Sequence, residues 1–151
     1  MSDTFPLPDL EWEPAREFFS AASRGELVIP RCAGCRTYQW YPGDACRACG
    51  SEELPWEPVC GRGALFSWAV VHRALAKSFG GQVPFVTALV SLEEDPAVRV
   101  VTRIVDCAAE ELRVDMPVRV VFREISFDDT PASVVALMFA PVAAEAGGRN
   151  P

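Results

Sequence analysis

The spacing of apolar residues along this chain changes character twice, and each change predicts a different kind of element. Ala15, Phe18, Phe19 and Ala22 recur at i, i+3, i+4 and i+7, the spacing of one helix face. Pro14 suits the first turn of that helix and Gly25 supplies its stop. From Ala64 onward the chain carries five runs rich in Val, Phe, Ile and Thr: ALFSWAVVHR (64–73), PFVTALVSLE (84–93), AVRVVTRIVD (97–106), VRVVFREI (118–125) and SVVALMFA (133–140). Turn residues separate most of them, which predicts strands. AAEEL (108–112), between the third and fourth runs, reads as a brief helical turn. Five strands with that insertion follow the order of an OB-type Greek-key barrel, and an open β-sandwich fits the same pattern.

Between helix and strands lies a segment with neither period. RCAGCRTYQWYPGDACRACG, residues 31–50, holds four of the six cysteines in two Cys-x-x-Cys pairs ten residues apart. ELVIP, TYQWYP and ELPWEP predict three short strands around the two turns. Cys32, Cys35, Cys46 and Cys49 can close a tetrahedron of thiolates around Zn²⁺ with no position left for water or substrate, so the ion would be structural. Iron in a rubredoxin-like site needs the same ligands. Such a module has little else to pack. Arg31, Arg36 and Arg47, each adjacent to a cysteine, either offset the charge of the four thiolates or are solvated surface residues. Gly50 fits a tight turn whose N–H groups point at the sulfurs. Cys60 and Cys107, outside any such pairing, read as small buried thiols.

The expected organisation is an arm and amphipathic helix over 1–25, the cysteine module over 26–59, the barrel over 60–140 and a disordered tail over 141–151, with a junction at Cys60-Gly61-Arg62-Gly63. At 151 residues and half apolar composition the chain is long enough for one ordinary domain or two small ones. The N-terminus carries acids and prolines where a secretory signal needs a basic start and an apolar stretch, so a cytoplasmic protein with reduced thiols is expected.

A net charge of −7 argues against nucleic acid as a partner, and no apolar run is long enough to suggest a membrane span. The charge is unevenly spread: residues 1–30 carry six acids and two bases, whereas residues 61–90 carry Arg62, Arg73 and Lys77 and no acid. His72, the only histidine, lies in that basic stretch. A nucleophilic pair would have to use it, and no Gly-x-Ser-x-Gly elbow, dinucleotide fingerprint or P-loop is present. His72 is either a satisfied strand-end residue or, with Arg73 and Lys77, part of an anion-binding rim for a phosphate such as a coenzyme A diphosphate or for an acidic partner. Gly80 and Gly81 would allow this loop to move. The Phe18 and Phe19 face, with Trp12 before it, packs either on the cysteine module or on another subunit.

Taken in order, SRGELVIPRC, the cysteine pairs, LPWEPVCGRGALFSWAVVHR, VPFVTALVSLEE, RIVDC and VDMPVRVVFREI resemble a family of small proteins that join a rubredoxin-like zinc ribbon to an OB-fold and are associated with acyl-CoA metabolism. The resemblance covers residues 14–140. It implies a mainly β fold: an N-terminal helix, a four-cysteine zinc ribbon and a five-stranded barrel. It also implies a non-catalytic accessory subunit that docks on a thiolase-like aldolase or thiolase of lipid or steroid side-chain breakdown and helps shape its acyl-CoA site. Some relatives are fused to MaoC-type hydratases. In such pairs the catalytic residues lie on the enzyme subunit, and a stand-alone acyl-CoA binder is the alternative. Cys60 stands where many relatives have Ser, and the first turn lacks the proline common in zinc ribbons.

Overall fold

The computed structural model describes residue 8, residues 10–127 and residues 130–143. Most of the expected arm and tail therefore lie outside the described residues. The helix α1 spans Glu13–Ser23 with Pro14 in its first turn. Its end is a Schellman-type closure: Gly25 adopts φ 77°, its N–H donates to the Ala22 carbonyl (3.0 Å), and the Glu26 N–H donates to Ala21 (3.0 Å). Ala21 and Ala22, with almost no side chain to separate the backbones, are buried where the helix meets the sheets.

Strands β1 (Val28–Pro30) and β2 (Trp56–Pro58) form a two-stranded antiparallel ribbon that frames the cysteine segment. The expected middle strand in TYQWYP is not one: only an Arg31–Tyr38 bridge forms there. Its Trp40 meets the helix instead, with the Phe18 ring 5.0 Å away, and Phe18 also lies 6.4 Å from Trp56 of β2.

The remaining strands close into a barrel in the order β3-β4-β5-β7-β6: β3 (Arg62–Val71), β4 (Phe85–Leu92), β5 (Arg99–Ile104), β6 (Pro117–Phe127) and β7 (Thr130–Pro141). All pairings are antiparallel except the closing contact of β5 with β7, at Ile104 and Phe139. This is a five-stranded OB-fold, and the single turn of 3-10 helix at Ala109–Glu111 sits between the third and fourth barrel strands as expected. A second such turn, Lys77–Phe79, lies in the loop between β3 and β4. In β4 the residues alternate strictly, with Val86, Ala88, Val90 and Leu92 inward. A bulge at Phe66 bends β3, letting its first residues pair with β6 as well as β4.

The cysteine module is not isolated. Leu27 and Ile29 belong to the same apolar cluster as Leu65, Val90, Val100, Val118 and Phe139 of the barrel, with Tyr38, Trp40 and Val59 packed against it. The ribbon thus has a core to pack on, and that core is the barrel's. Among the described residues no helix is long and apolar enough to cross a membrane.

Candidate functional site

Each Cys-x-x-Cys forms a turn that folds back on its own first residue. The Arg36 N–H donates to the Cys32 carbonyl (2.9 Å) and the Gly50 N–H to the Cys46 carbonyl (2.8 Å). It is therefore carbonyls, not sulfurs, that Gly50 and its counterpart satisfy, while the Cys35 N–H lies 3.5 Å from the Cys32 sulfur. Arg31 N–H bonds to Pro55 and Ala33 N–H to Glu53, which hold the first turn against the far end of the module. Buried Gln39 braces the second turn, accepting from the Arg47 N–H (2.9 Å) and donating to the Ala45 carbonyl (3.3 Å).

These turns bring the Sγ atoms of Cys32, Cys35, Cys46 and Cys49 within 4.8 Å of one another. Cys32 lies 3.5 Å from Cys49 and Cys35 lies 3.6 Å from Cys46, sulfur to sulfur. A disulfide needs about 2.05 Å, and all six cysteines are free thiols. A tetrahedral ion with metal–sulfur bonds of about 2.3 Å separates its sulfurs by about 3.8 Å, so the four thiols fit one small ion. The turns make the thiols unequal as acids. The Thr37 hydroxyl, 3.3 Å away, and the Thr37 N–H hold Cys35 down at about 6. Cys49 is pulled down by the Ser51 N–H but is pushed up, to about 11, by the neighbouring sulfurs of Cys32 and Cys35. A cation among them favours all four thiolates, since metal ligation displaces the protons.

The three arginines beside the cysteines are neither aimed at the sulfurs nor idle. Arg31 and Arg36 both pair with Glu57 on β2, at 3.4 and 2.9 Å, and Arg31 Nε also donates to the Arg36 carbonyl (2.8 Å). Arg47 donates to the carbonyls of Trp40 and Tyr41. A guanidinium finds a stronger acceptor in a carboxylate or a carbonyl than in a soft sulfur. The two remaining cysteines also depart from expectation: Cys60 is exposed and Cys107 half-buried. Gly61 takes the buried place at the junction, under Val120, and leaves Cys60 facing outward.

His72, Arg73 and Lys77 are all exposed on the loop after β3, but they do not form one rim. His72 lines a groove of ≈ 620 Å³ running past Phe85, Ile104 and Cys107, with Asp106 and Glu110 on its walls. Arg73 and Lys77 are not among its lining residues. The groove also holds Arg103, which the sequence does not single out because it is one alternate residue of a strand. Arg103 stacks over the rings of Phe85 (3.9 Å) and Phe79 (5.4 Å) and donates to Gln82 Oε1 (2.9 Å). Partial burial lowers its pKa from the ordinary arginine value.

A second groove is almost wholly apolar. Helix α1 and the cysteine segment form it from Trp12, Phe18, Phe19, Trp40, Tyr41 and neighbouring prolines. Phe18 packs inward on the module, whereas Trp12 and Tyr41 remain 56% and 54% exposed. The expected inner packing on the cysteine module is met along Phe18, while Trp12 stands at an uncovered apolar rim.

Comparison with known proteins matches residues 19–55 to the model described as "ChsH2, rubredoxin-like zinc ribbon domain" and residues 56–123 to "ChsH2, C-terminal OB-fold domain". A DUF35 domain-containing scaffold protein of Methanocaldococcus jannaschii is 35% identical over 103 residues, 68% of this chain and 71% of the relative. A probable enoyl-CoA hydratase alpha subunit of Thermomonospora curvata is 38% identical over 101 residues, 67% of this chain, and this chain spans only 30% of that protein's length. Among solved structures, a chain of the Ltp2-ChsH2(DUF35) aldolase superposes with a TM-score of 0.75 at 31% identity, covering 91% of this chain and 98% of that one. A DUF35 protein of unknown function from Sulfolobus solfataricus shares the fold, with a TM-score of 0.57 at 12% identity. With both domain models matched in series and the cysteine site in place, the chain belongs to the DUF35 family, in its ChsH2 form of zinc ribbon followed by OB-fold.

Proposed function

We propose that this chain is a non-catalytic accessory subunit that docks on and stabilises a thiolase-like enzyme, an aldolase or thiolase acting on acyl-CoA thioesters in lipid or steroid side-chain breakdown, and helps shape its acyl-CoA site. The observation that carries this reading is the likeness to a chain of the Ltp2-ChsH2(DUF35) aldolase, which spans nearly the whole of both chains. The apolar groove beside α1 supports it, because large aromatic residues left half-exposed around one hollow are the usual composition of a protein interface core. A MaoC-like hydratase is the other partner class, by kinship with the Thermomonospora protein.

In this reading Cys32, Cys35, Cys46 and Cys49 hold Zn²⁺, and iron would use the same four sulfurs. The ion supplies a fixed joint between the two turns, and a shell filled by four protein ligands takes no part in turnover. The test is co-expression of the chain with a thiolase-like enzyme from the same genome, followed by size and activity measurements. A stable complex with higher aldolase or thiolase activity than the enzyme alone is expected. A chain that stays monomeric, beside an enzyme fully active without it, overturns the reading.

A stand-alone acyl-CoA binder is the second reading, favoured by the groove at His72 and Arg103, which is large enough to take part of such a ligand beside two basic side chains. There His72 and Arg103 would meet the diphosphate, with Arg73 and Lys77 on the adjoining loop outside the groove. Calorimetry of the isolated chain with acyl-CoA decides it: no heat of binding removes it.

A further inference from the structure

We propose that the loop between β3 and β4 is a docking prong whose tip, Leu75, enters an apolar socket on the enzyme partner, while the basic residues on either side meet carboxylates at the socket's rim. The inference rests on the docking reading above and names the chemistry of the partner's surface.

Leu75 is 96% exposed, far more than any other large apolar residue described in the chain, the next being Val114 at 62%. An isolated leucine on a surface is ordinary. One held at the tip of a braced loop between two cations is less so. The base of this loop is fixed: the Phe79 ring lies 5.9 Å from Phe85, and the Arg103 guanidinium covers both. The N–H groups of Phe79 and Gln82 close successive turns on Ala76 and Phe79, at 3.0 and 2.9 Å. A tip carried on such a base needs less ordering when it binds. In an OB-fold the loop between the first two barrel strands is also a recurrent contact element.

Charge selects the partner's chemistry. The chain carries a net −7, yet the loop between β3 and β4 carries Arg73 and Lys77 with no acid, so the prong is a basic point on an acidic body. That arrangement steers the prong toward carboxylates placed around a socket, while the shared net charge of −7 repels whole copies of the same chain from one another. The aromatic groove beside α1 offers a second copy no acidic rim for the prong, being lined by aromatic residues, prolines and one alanine. A lipid surface is disfavoured because one leucine and a few cations give weaker attachment than the single acyl chain that itself binds membranes only marginally.

The experiment uses the full chain and the thiolase-like enzyme that co-purifies with it, by calorimetry and by association kinetics at several salt concentrations. Leu75→Asp is expected to weaken the complex between about 10- and 100-fold, the equivalent of one leucine's burial. Arg73→Glu with Lys77→Glu is expected to slow association and flatten its salt dependence. Both variants should keep the wild-type thermal midpoint, since the altered side chains are exposed. Wild-type affinity in Leu75→Asp overturns the prong and leaves docking intact, whereas no complex with the unaltered chain removes the docking reading itself. Two other results also overturn the prong: Leu75-dependent dimerisation of the chain alone, or Leu75-dependent binding to vesicles containing phosphatidylserine.

Discussion

Arg36 and Gly50 occupy the same backbone position in the two cysteine turns: each follows the second cysteine, each has positive φ (62° and 77°), and each donates its N–H to the carbonyl of the first cysteine. Only one of them is the residue that this conformation favours. An L side chain there costs on the order of 1 kcal/mol. No atom lies within 4 Å of the place a Cβ on Gly50 would take, so Gly50→Ala carries that conformational cost without a clash. Gly50→Ala should lower the stability of the metal-loaded protein by about 1 kcal/mol. Arg36→Gly gains about the same and loses a half-exposed ion pair worth less than about 1 kcal/mol, so it should be neutral to slightly stabilising. Thermal unfolding ranks the three proteins, and a Gly50→Ala protein as stable as the Arg36→Gly protein contradicts the shared geometry.

Glu57 gives the ribbon a pH dependence of defined sign. Partial burial pushes its carboxyl up, but the hydrogen bonds and charges of Arg36 and Arg31 outweigh this and hold it below the ordinary value of 4.5. A carboxylate depressed in the folded state contributes stability that is present above its unfolded pKa and lost as pH falls through the folded one. Glu57→Gln should therefore be less stable than wild type at pH 6 to 7, and the two should converge below about pH 4. Acid also strips thiolate ligands, so the readout is the difference between the two proteins across a pH series. A gap that persists or widens at low pH would refute the assignment.

Gly63 is fixed by close approach and not by φ. A Cβ there would strike the Ser91 carbonyl oxygen and lie 2.7 Å from a Val90 methyl on the paired strand β4. Backbone cannot move aside as a side chain can. Gly63→Ala should cost about 2 to 3 kcal/mol in urea unfolding while leaving metal content unchanged, because the site lies in a different element. A loss of less than about 0.5 kcal/mol, well under the usual cost of overpacking, would show that the strands relax apart easily.

Removing the metal should do more than loosen residues 26–58. Leu27 and Ile29 sit in the same cluster as the barrel's inward residues, so disorder in the ribbon uncovers Leu65 and Val118 neighbours as well. After chelation at neutral pH, amide exchange should rise first across the cysteine turns, and the barrel's thermal midpoint should fall with it. A barrel that melts at its metal-loaded temperature after chelation would show two energetically separate units.

The elements that are legible in the sequence are those whose signal is local. Four apolar residues at helical spacing and a terminal glycine define α1, and strict alternation through Val86, Ala88, Val90 and Leu92 defines β4. Cysteine spacing identifies a candidate metal site for the same reason, since each turn is made by its own few residues. What escapes depends on contacts distant in the chain. Glu57 draws Arg31 and Arg36 away from the sulfurs across more than twenty residues, and nothing near those arginines announces it. The aromatic run at 37–42 has strand composition, but the helix's Phe18 competes for its rings and only Tyr38 bridges. Arg103 looks like any outward residue of β5 until the fold sets it over Phe79 and Phe85. Cys60 follows general preference in being small and apolar, yet Gly61 beside it claims the interior.

The closing of β5 on β7 uses the backbone donors and acceptors that an open sheet would hold out at its margins. In the docking proposed above, another protein meets this barrel through side chains and loop tips. Recognition written in side chains can be revised one residue at a time, at Trp12, Tyr41 or Leu75, while the strands beneath keep their register. In the proposed role, a barrel of this kind can change allegiance among enzymes without relearning how to fold.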